Sequence, residues 1–240
     1  MRIKGILFDS GDTLIFPKTG SWWPGPDFEP ILQRHGIYIS QFSPRQMKTA
    51  LDEGEKYLAA NHSISDLEEE REQFRTYYRI VCSNLGIGEK DNQLFEDLAG
   101  AYVDGCNVDL YPDTVSTLNK LTKEGVILGI LSDAWPSLNK KYEMLSIRKY
   151  FKSFTISSQV GCCKPNELIY QKAIHEIGIN PENLLFVDDD YENAKAAVRL
   201  GMRGTVISRN GENVGIKDIP FIEDLNSVFK IIKGQNERTN

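Results

Sequence analysis

Apolar residues crowd the first stretch of the chain, Ile3 to Phe8, and break off in the turn-forming run Asp9-Ser10-Gly11-Asp12. That is the pattern of a buried strand within residues 1 to 16 that ends at a polar rim. From Tyr111 onward helical and strand periods alternate. Asp113 is placed to cap a helix carrying Val115, Leu118 and Leu121, Gly125 to end it, and Val126 to Leu131 to form the next strand. The alternation continues with a helix around 137 to 148, a strand near Phe154 to Ser157, and a helix after Pro165 that carries Ile169, Ala173, Ile174 and Ile177 up to Gly178. A strand Leu184 to Val187, a helix over 191 to 200 closed by Gly201, and a strand Thr205 to Ile207 follow. Strands alternating with helices require right-handed crossovers, so the fold class is α/β, with a doubly wound, Rossmann-like parallel sheet covered on both faces.

Residues 17 to 108 break this rhythm. They hold no convincing strand, and helical periods follow one another. Ser43-Pro44 starts a helix with Met47, Leu51 and Leu58 on one face. The stretch Ser65 to Leu85 runs from Glu68, Glu69 and Glu70 through Phe74, Tyr77, Tyr78 and Val81 and stops before Gly86, the polarity that the helix dipole and a C-terminal glycine favour. The expected organisation is a core over 1–16 and 109–240, interrupted by a helical cap domain over 17–108. The Trp22-Trp23-Pro24-Gly25-Pro26 run marks the hinge, and the tail Gly234 to Asn240 is expected to fray.

Composition narrows the classes. Of 240 residues, 40% are hydrophobic and 26% charged, which excludes disorder of the whole chain. Lys and Arg number 28 against 34 Asp and Glu, a net charge of −6, and that field repels a polyphosphate backbone, so no nucleic-acid partner is expected. No run approaches the roughly 18 apolar residues of a membrane helix, and Asp9 interrupts the first apolar stretch before a signal-peptide core is complete. A cytoplasmic protein without a membrane partner is expected. Cys82, Cys106, Cys162 and Cys163 lack the spacing of a disulfide framework or zinc site and read as reduced thiols.

In open parallel sheets ligands bind beyond the carboxyl ends of the strands. Just past the predicted strands stand Asp9, then Ser132-Asp133, then Lys164-Pro165, then Asp188-Asp189-Asp190. Singly, these are turn formers, helix caps or surface charges, and capping accounts for Asp190. Together they make a set able to hold a divalent cation and a phosphoryl group, and hard oxygen ligands with one or two carboxylates suit magnesium. Trp22, Trp23 and Trp135 are candidates for a substrate pocket, although aromatic residues at a domain junction more often pack. His62, Lys56, Arg71 and Arg75 are candidates for contact with an anionic substrate, although charges on a helix are usually solvated. His35 and His175 sit near helix ends, where the dipole accounts for them.

The segment ILFDSGDTL resembles the first motif of the haloacid dehalogenase-like hydrolases, a hydrophobic strand followed by DxDGTL. ILGILSD resembles the second motif, GCCKPNELIYQKAI the third and LLFVDDDYENAKAAVRLGM the fourth. The resemblance covers residues 1 to 16 and 110 to 208, and the helical segment takes the place of the family's cap. It implies that Asp9 is the nucleophile and forms an aspartyl-phosphate. It makes Ser132 a hydrogen-bond donor to a phosphoryl oxygen, places Asp133 beside it in the substrate site, and makes Lys164 the neutralising cation. Magnesium would be held by Asp9, the backbone carbonyl of Gly11, and Asp189, with Asp188 behind them. One departure stands out: Gly11 falls where phosphatases of the family carry their second Asp, the general acid and base, and Asp12 falls where they carry Gly. Gly11 is also a candidate for positive φ. In the fourth motif Asn193 is the polar group nearest Ala194, where a further acidic residue often lies. The function implied is magnesium-dependent hydrolysis of a small-molecule phosphate ester. A metal-independent dehalogenase is the second enzyme reading, opposed by the Asp188-Asp189 pair, which would repel a nucleophilic carboxylate unless a cation lay between them. A binding or regulatory protein that lost turnover with the acid is the third.

Overall fold

The computed structural model describes residues 2–25, 27–88, 92–209 and 218–233, and the expectation for the tail from Gly234 lies outside them. Strand β1 (Gly5–Phe8) is buried at every position. A short antiparallel pair follows, β2 (Ile15–Pro17) against β3 (Val108–Leu110), with Ile15 opposite Leu110 and Pro17 opposite Val108. Between these two strands run α1 (Phe28–Arg34), α2 (Pro44–Ala60), α3 (Leu67–Asn84) and α4 (Asn92–Asp104). The pattern missed the β2–β3 pair because three residues per strand is too short for a period to register.

The helices begin where local chemistry allows. Ser43 and Gln46 form a reciprocal capping box around Pro44 at the start of α2, and Asp66 accepts the N–H groups of Glu68 and Glu69 at the start of α3. Their apolar faces meet in a core of their own, with Phe28, Leu32, Phe74, Tyr77, Leu94 and Leu98 among its buried members. Helices α2 and α3 approach so closely that a Cβ on Gly54 would lie 2.5 Å from the Tyr77 ring and 2.8 Å from Val81.

The rest of the chain is α5 (Thr114–Lys123), β4 (Ile127–Ser132), α6 (Ser137–Met144), β5 (Phe151–Ile156), α7 (Ser157–Val160), α8 (Glu167–Ile177), β6 (Leu184–Asp188), α9 (Tyr191–Arg199), β7 (Arg203–Ile207), β8 (Phe221–Ile222) and α10 (Val228–Lys233). Six strands form one parallel sheet in the order β5-β4-β1-β6-β7-β8. Side chains alternate across it: Ile6, Phe8, Ile130 and Val187 pack with Leu118, Leu121 and Tyr142 on one face, and Leu7, Leu131 and Phe186 with Ile169, Tyr170 and Ala173 on the other. The chain leaves β1 toward β4 and β5 on one side and returns to β6, β7 and β8 on the other, so the switch in strand order flanks β1. Register places Phe8 beside Ile130 and Val187, which brings the residues following β1, β4 and β6 to one edge. No helix among the described residues is long and apolar enough to cross a membrane.

Several boundaries differ from the pattern. The strand expected from Ile3 begins at Gly5, that expected near Phe154 begins at Phe151, and the helix around 137 to 148 stops at Met144, just before Ser146 at φ +60°. Asp113 does not cap α5 with its side chain. Its carboxylate accepts both bonds of Arg209 Nη1, at 2.9 and 3.1 Å, and the N–H of Leu225, while Arg209 Nη2 donates to the Thr13 carbonyl. This tie joins the loop after β1 to the segments following β7 and β8.

Gly54→Ala is expected to destabilise the protein by about 1–3 kcal/mol through overpacking against Tyr77 and Val81, despite a helix-propensity gain of about 1 kcal/mol. Urea denaturation of the two forms measures the sign, and a rise in stability would show that α2 and α3 can part cheaply.

Candidate active site

Beyond the carboxyl ends of β1, β4 and β6 lies a cavity of about 470 Å³. Asp9, Gly11, Ser132, Asp133, Lys164 and Asp189, the residues singled out from the sequence, all line it. Asp9 is the first residue past β1, and its N–H donates to the Val187 carbonyl at 2.8 Å, so the backbone that carries it is still tied to the neighbouring strand. Lys164 Nζ donates to Asp9 Oδ1 and to Asp188 Oδ2, both at 2.6 Å, and these three side chains are 3%, 8% and 1% exposed respectively. The backbone N–H of Lys164 donates to Asp133 Oδ1 at 3.0 Å, fixing the loop that delivers the ammonium. Asp188 Oδ1 accepts from the Asp190 N–H and from Asn193 Nδ2. Asp190 in turn caps α9 through the Asn193 N–H, as its position in the sequence predicts. On the far side of β1, Ser10 Oγ shares a 2.6 Å hydrogen bond with the buried Tyr142 hydroxyl.

Charge is unbalanced here. Burial raises the pKa of Asp9 and the Lys164 ammonium opposes that rise. Burial pushes Asp188 up to about 6, and pushes Asp189 up to about 8 with added repulsion from Asp9 and Asp188. Burial works against a charged Lys164, yet Asp188, Asp9 and Asp133 outweigh it and hold its pKa well above the ordinary value. Four carboxylates thus face one ammonium. No group of three or more His, Cys, Asp or Glu side chains among the described residues forms a metal cage. Magnesium does not need one, because it takes one or two carboxylates and keeps several waters. The hard oxygen donors and the excess negative charge fit a divalent cation.

The loop after β1 corrects one expectation. Positive φ falls on Asp12, at +49°, and Gly11 is not among the residues that adopt it; Asp tolerates the left-handed region better than most side chains do. A Cβ on Gly11 would lie 3.0 Å from Cζ2 of Trp22, so a side chain there would push the indole back by a few tenths of an ångström. Trp22 Nε1 donates to Asp12 Oδ2 at 2.8 Å.

Trp22, Trp23 and Trp135 line the same cavity. The cations proposed from the helical segment do not. His62 meets Ser157 Oγ at 2.6 Å, Lys56 pairs with Glu53, Arg71 with Asp104, and Arg75 with Glu72 and Glu96. His35 pairs with Asp97. The cation that does line the cavity beside Lys164 is Lys141, on α6, which donates to the Tyr102 carbonyl and Ser137 Oγ, each at 2.9 Å. Burial lowers its pKa to about 8. Glu70 of α3 accepts both the N–H and the hydroxyl of Ser137, so this network joins the helical segment to the sheet layer. Sequence reasoning missed Lys141, which reads as one of two surface lysines, and Asn107, which carries no motif signal.

A crevice at the switch point of a parallel sheet, with a buried carboxylate past the first strand and a lysine clamp between two strand ends, defines a Rossmann-like core with a candidate ligand site. A family model described as haloacid dehalogenase-like hydrolase matches residues 3–201, and the chain belongs to that family. The glyceraldehyde 3-phosphate phosphatase of Methanopyrus kandleri is 26% identical over 218 residues, covering 88% of this chain and 85% of that protein. Among solved structures, a HAD phosphatase from Thermococcus onnurineus superposes with a TM-score of 0.68 at 22% identity, over 97% of this chain and 99% of that one. A 2-haloacid dehalogenase from Pseudomonas syringae superposes with a TM-score of 0.70 at 18% identity, over the same shares. The two solved structures share the fold across both activities.

Removing the ammonium leaves Asp9 and Asp188 buried without their cation. Lys164→Met is expected to cost about 3–5 kcal/mol, the usual penalty for breaking a buried pair from one side. Urea denaturation without divalent ions checks this, and an unchanged midpoint would mean that the carboxylates find other compensation.

Proposed function

We propose that this hydrolase is a magnesium-dependent phosphatase of a small phosphorylated metabolite, acting through an aspartyl-phosphate on Asp9, with residues 17–108 serving as a helical cap over a core of 1–16 and 109–240. The observation that carries the reading is the clamp on Asp9. One carboxylate oxygen is held by Lys164 at 2.6 Å in a buried pocket that Asp189 also lines. In this scheme the nucleophilic oxygen attacks phosphorus, a new P–O bond forms as the leaving oxygen departs with the bonding pair and takes a proton from water, and a second attack by water on phosphorus releases phosphate and restores the Asp9 carboxylate. Ser132 donates to a phosphoryl oxygen, Asp133 keeps the Lys164 loop in place beside the substrate, and Lys164 offsets charge on Asp9 and on the group in transfer. Asp9, Asp189 and the Gly11 carbonyl would hold magnesium, which when bound supplies the positive charge that lets an anionic ester approach a carboxylate. The naming of the Methanopyrus relative after a small phosphate ester supports the substrate class. Neither a nucleic acid nor a membrane enters this scheme, and a cytoplasmic location suits it.

The absence of an acid at Gly11 favours the dehalogenase reading and, equally, a binding protein without turnover. Against the first, Asp188 and Asp189 crowd Asp9 with like charge, which a metal-free reaction at Asp9 would have to overcome. Against the second, the nucleophile, clamp and hydroxyl all face one cavity.

Asp9→Asn is expected to abolish phosphate release from a panel of monoesters while circular dichroism stays native, since the amide is nearly isosteric and cannot attack phosphorus. Activity retained in a folded variant would remove Asp9 from that role. For Asp189→Asn, calorimetric titration is expected to show magnesium affinity reduced about tenfold or more through loss of one of two charged ligands. Equal affinities would take Asp189 out of the metal site.

A further inference from the structure

The reversed Gly11-Asp12 pair has a structural use. Gly11 lets Cζ2 of Trp22 approach to 3.0 Å from where a Cβ would stand, and Asp12, held at φ +49°, accepts the indole N–H at 2.8 Å. The indole is thereby pinned against the loop that carries Asp9. Trp23 stacks on Tyr102 with centroids 5.9 Å apart and planes 6° from parallel, and meets Trp135 edge-on. Trp22 lines the cavity with no ring partner among the described residues. Nearby, Asn107 Oδ1 is an acceptor without a partner, on a residue only 7% exposed that also lines the cavity. An orphaned acceptor of this kind is usually satisfied by water or a ligand.

We propose that Trp22 is a substrate-positioning residue, seated by Gly11 and Asp12 to stack on the leaving group, and that the substrates are phosphate monoesters whose leaving oxygen sits on a flat aromatic ring. This rests on the phosphatase reading above. Two observations converge on it. A tethered, half-buried indole lines the cavity beside the nucleophile loop, and an aromatic surface there suits a planar ring better than an open-chain polyol. The residue that makes room for the indole is the one that removes the general acid, and a phenolic oxygen needs protonation least when the P–O bond breaks. A ring substituent that donates a hydrogen bond would satisfy Asn107.

The test separates ring recognition from phosphate recognition by using ligands whose P–C bond is not hydrolysed. Phenylphosphonate and methylphosphonate are titrated calorimetrically into the full chain with magnesium present. Wild type is expected to bind phenylphosphonate about threefold to tenfold more tightly, the range for one aromatic stack. Trp22→Leu is expected to bring that ratio close to one, and Trp22→Phe to keep most of it. Asp12→Gly, which suits the positive φ and removes the tether together with the carboxylate's contact to Tyr111, is expected to lower the ratio without unfolding the loop. Equal binding of the two phosphonates by wild type, or a ratio that survives both Trp22→Leu and Asp12→Gly, would overturn the ring wall and leave the phosphate site standing. If neither phosphonate binds, the phosphatase reading fails and this inference falls with it.

Discussion

A single buried ammonium organises the molecule. Lys164 lies between Asp9 and Asp188 in a region almost free of solvent, where an unpaired charge costs several kcal/mol. Charges so placed must be met at hydrogen-bond distance, and that fixes three chain segments together: the end of β1, the loop before α8 and the end of β6. Further bonds satisfy what the clamp leaves over. Asp133 holds the lysine backbone, and the second oxygen of Asp188 takes the Asp190 N–H and the Asn193 amide. The arrangement is over-determined around Asp9, whose carboxylate, clamp and backbone are each held by a separate contact.

The loop after β1 serves two neighbours. Toward the sheet it presents Asp9, and toward the helical segment it presents Gly11 and Asp12 as a seat for Trp22. A change in this loop therefore reaches both the Asp9 clamp and the aromatic junction. The network of Glu70, Ser137 and Lys141 makes a second, fully buried joint between α3 and α6, so the helical segment meets the core through satisfied polar contacts as well as rings. Such joints fix relative orientation, because a half-made polar contact in a dry place is worse than none.

The core was legible in the sequence because its strands are short runs of buried apolar residues and its helices carry a clear period, ending at or just before Gly125, Gly178 and Gly201. The site was legible for a related reason. Parallel pairing with register set at Phe8, Ile130 and Val187 carries every strand end to one edge, so residues read in one dimension arrive together in three. Side chains on helices gave no such guide. Whether Arg75 or Lys141 faces the cavity depends on how helices are rotated in the packed structure, and Arg75 finds Glu72 and Glu96 while Lys141 turns inward. Asp113 shows the same limit: local chemistry favoured a cap, and a long-range guanidinium took the carboxylate instead. The Gly11-Asp12 reversal was visible as an anomaly and Trp22 as a pocket candidate, and the contact between them was not.

The small β2–β3 ladder shapes how such a chain can change over time. By pairing Ile15 with Leu110 and Pro17 with Val108 it brings the two ends of the helical excursion side by side. To the folding core that excursion is a closed loop, and the entropy of closing a loop grows only with the logarithm of its length, about 0.6 kcal/mol per doubling. Once the ladder is in place, the length of the excursion costs the sheet little, but Ser137 and Lys141 of α6 still need the partners that α3 and α4 supply. Segments of other lengths could be exchanged at this neck provided they met that buried joint, so the excursion between β2 and β3 is freer to vary in length than in the face it turns to α6.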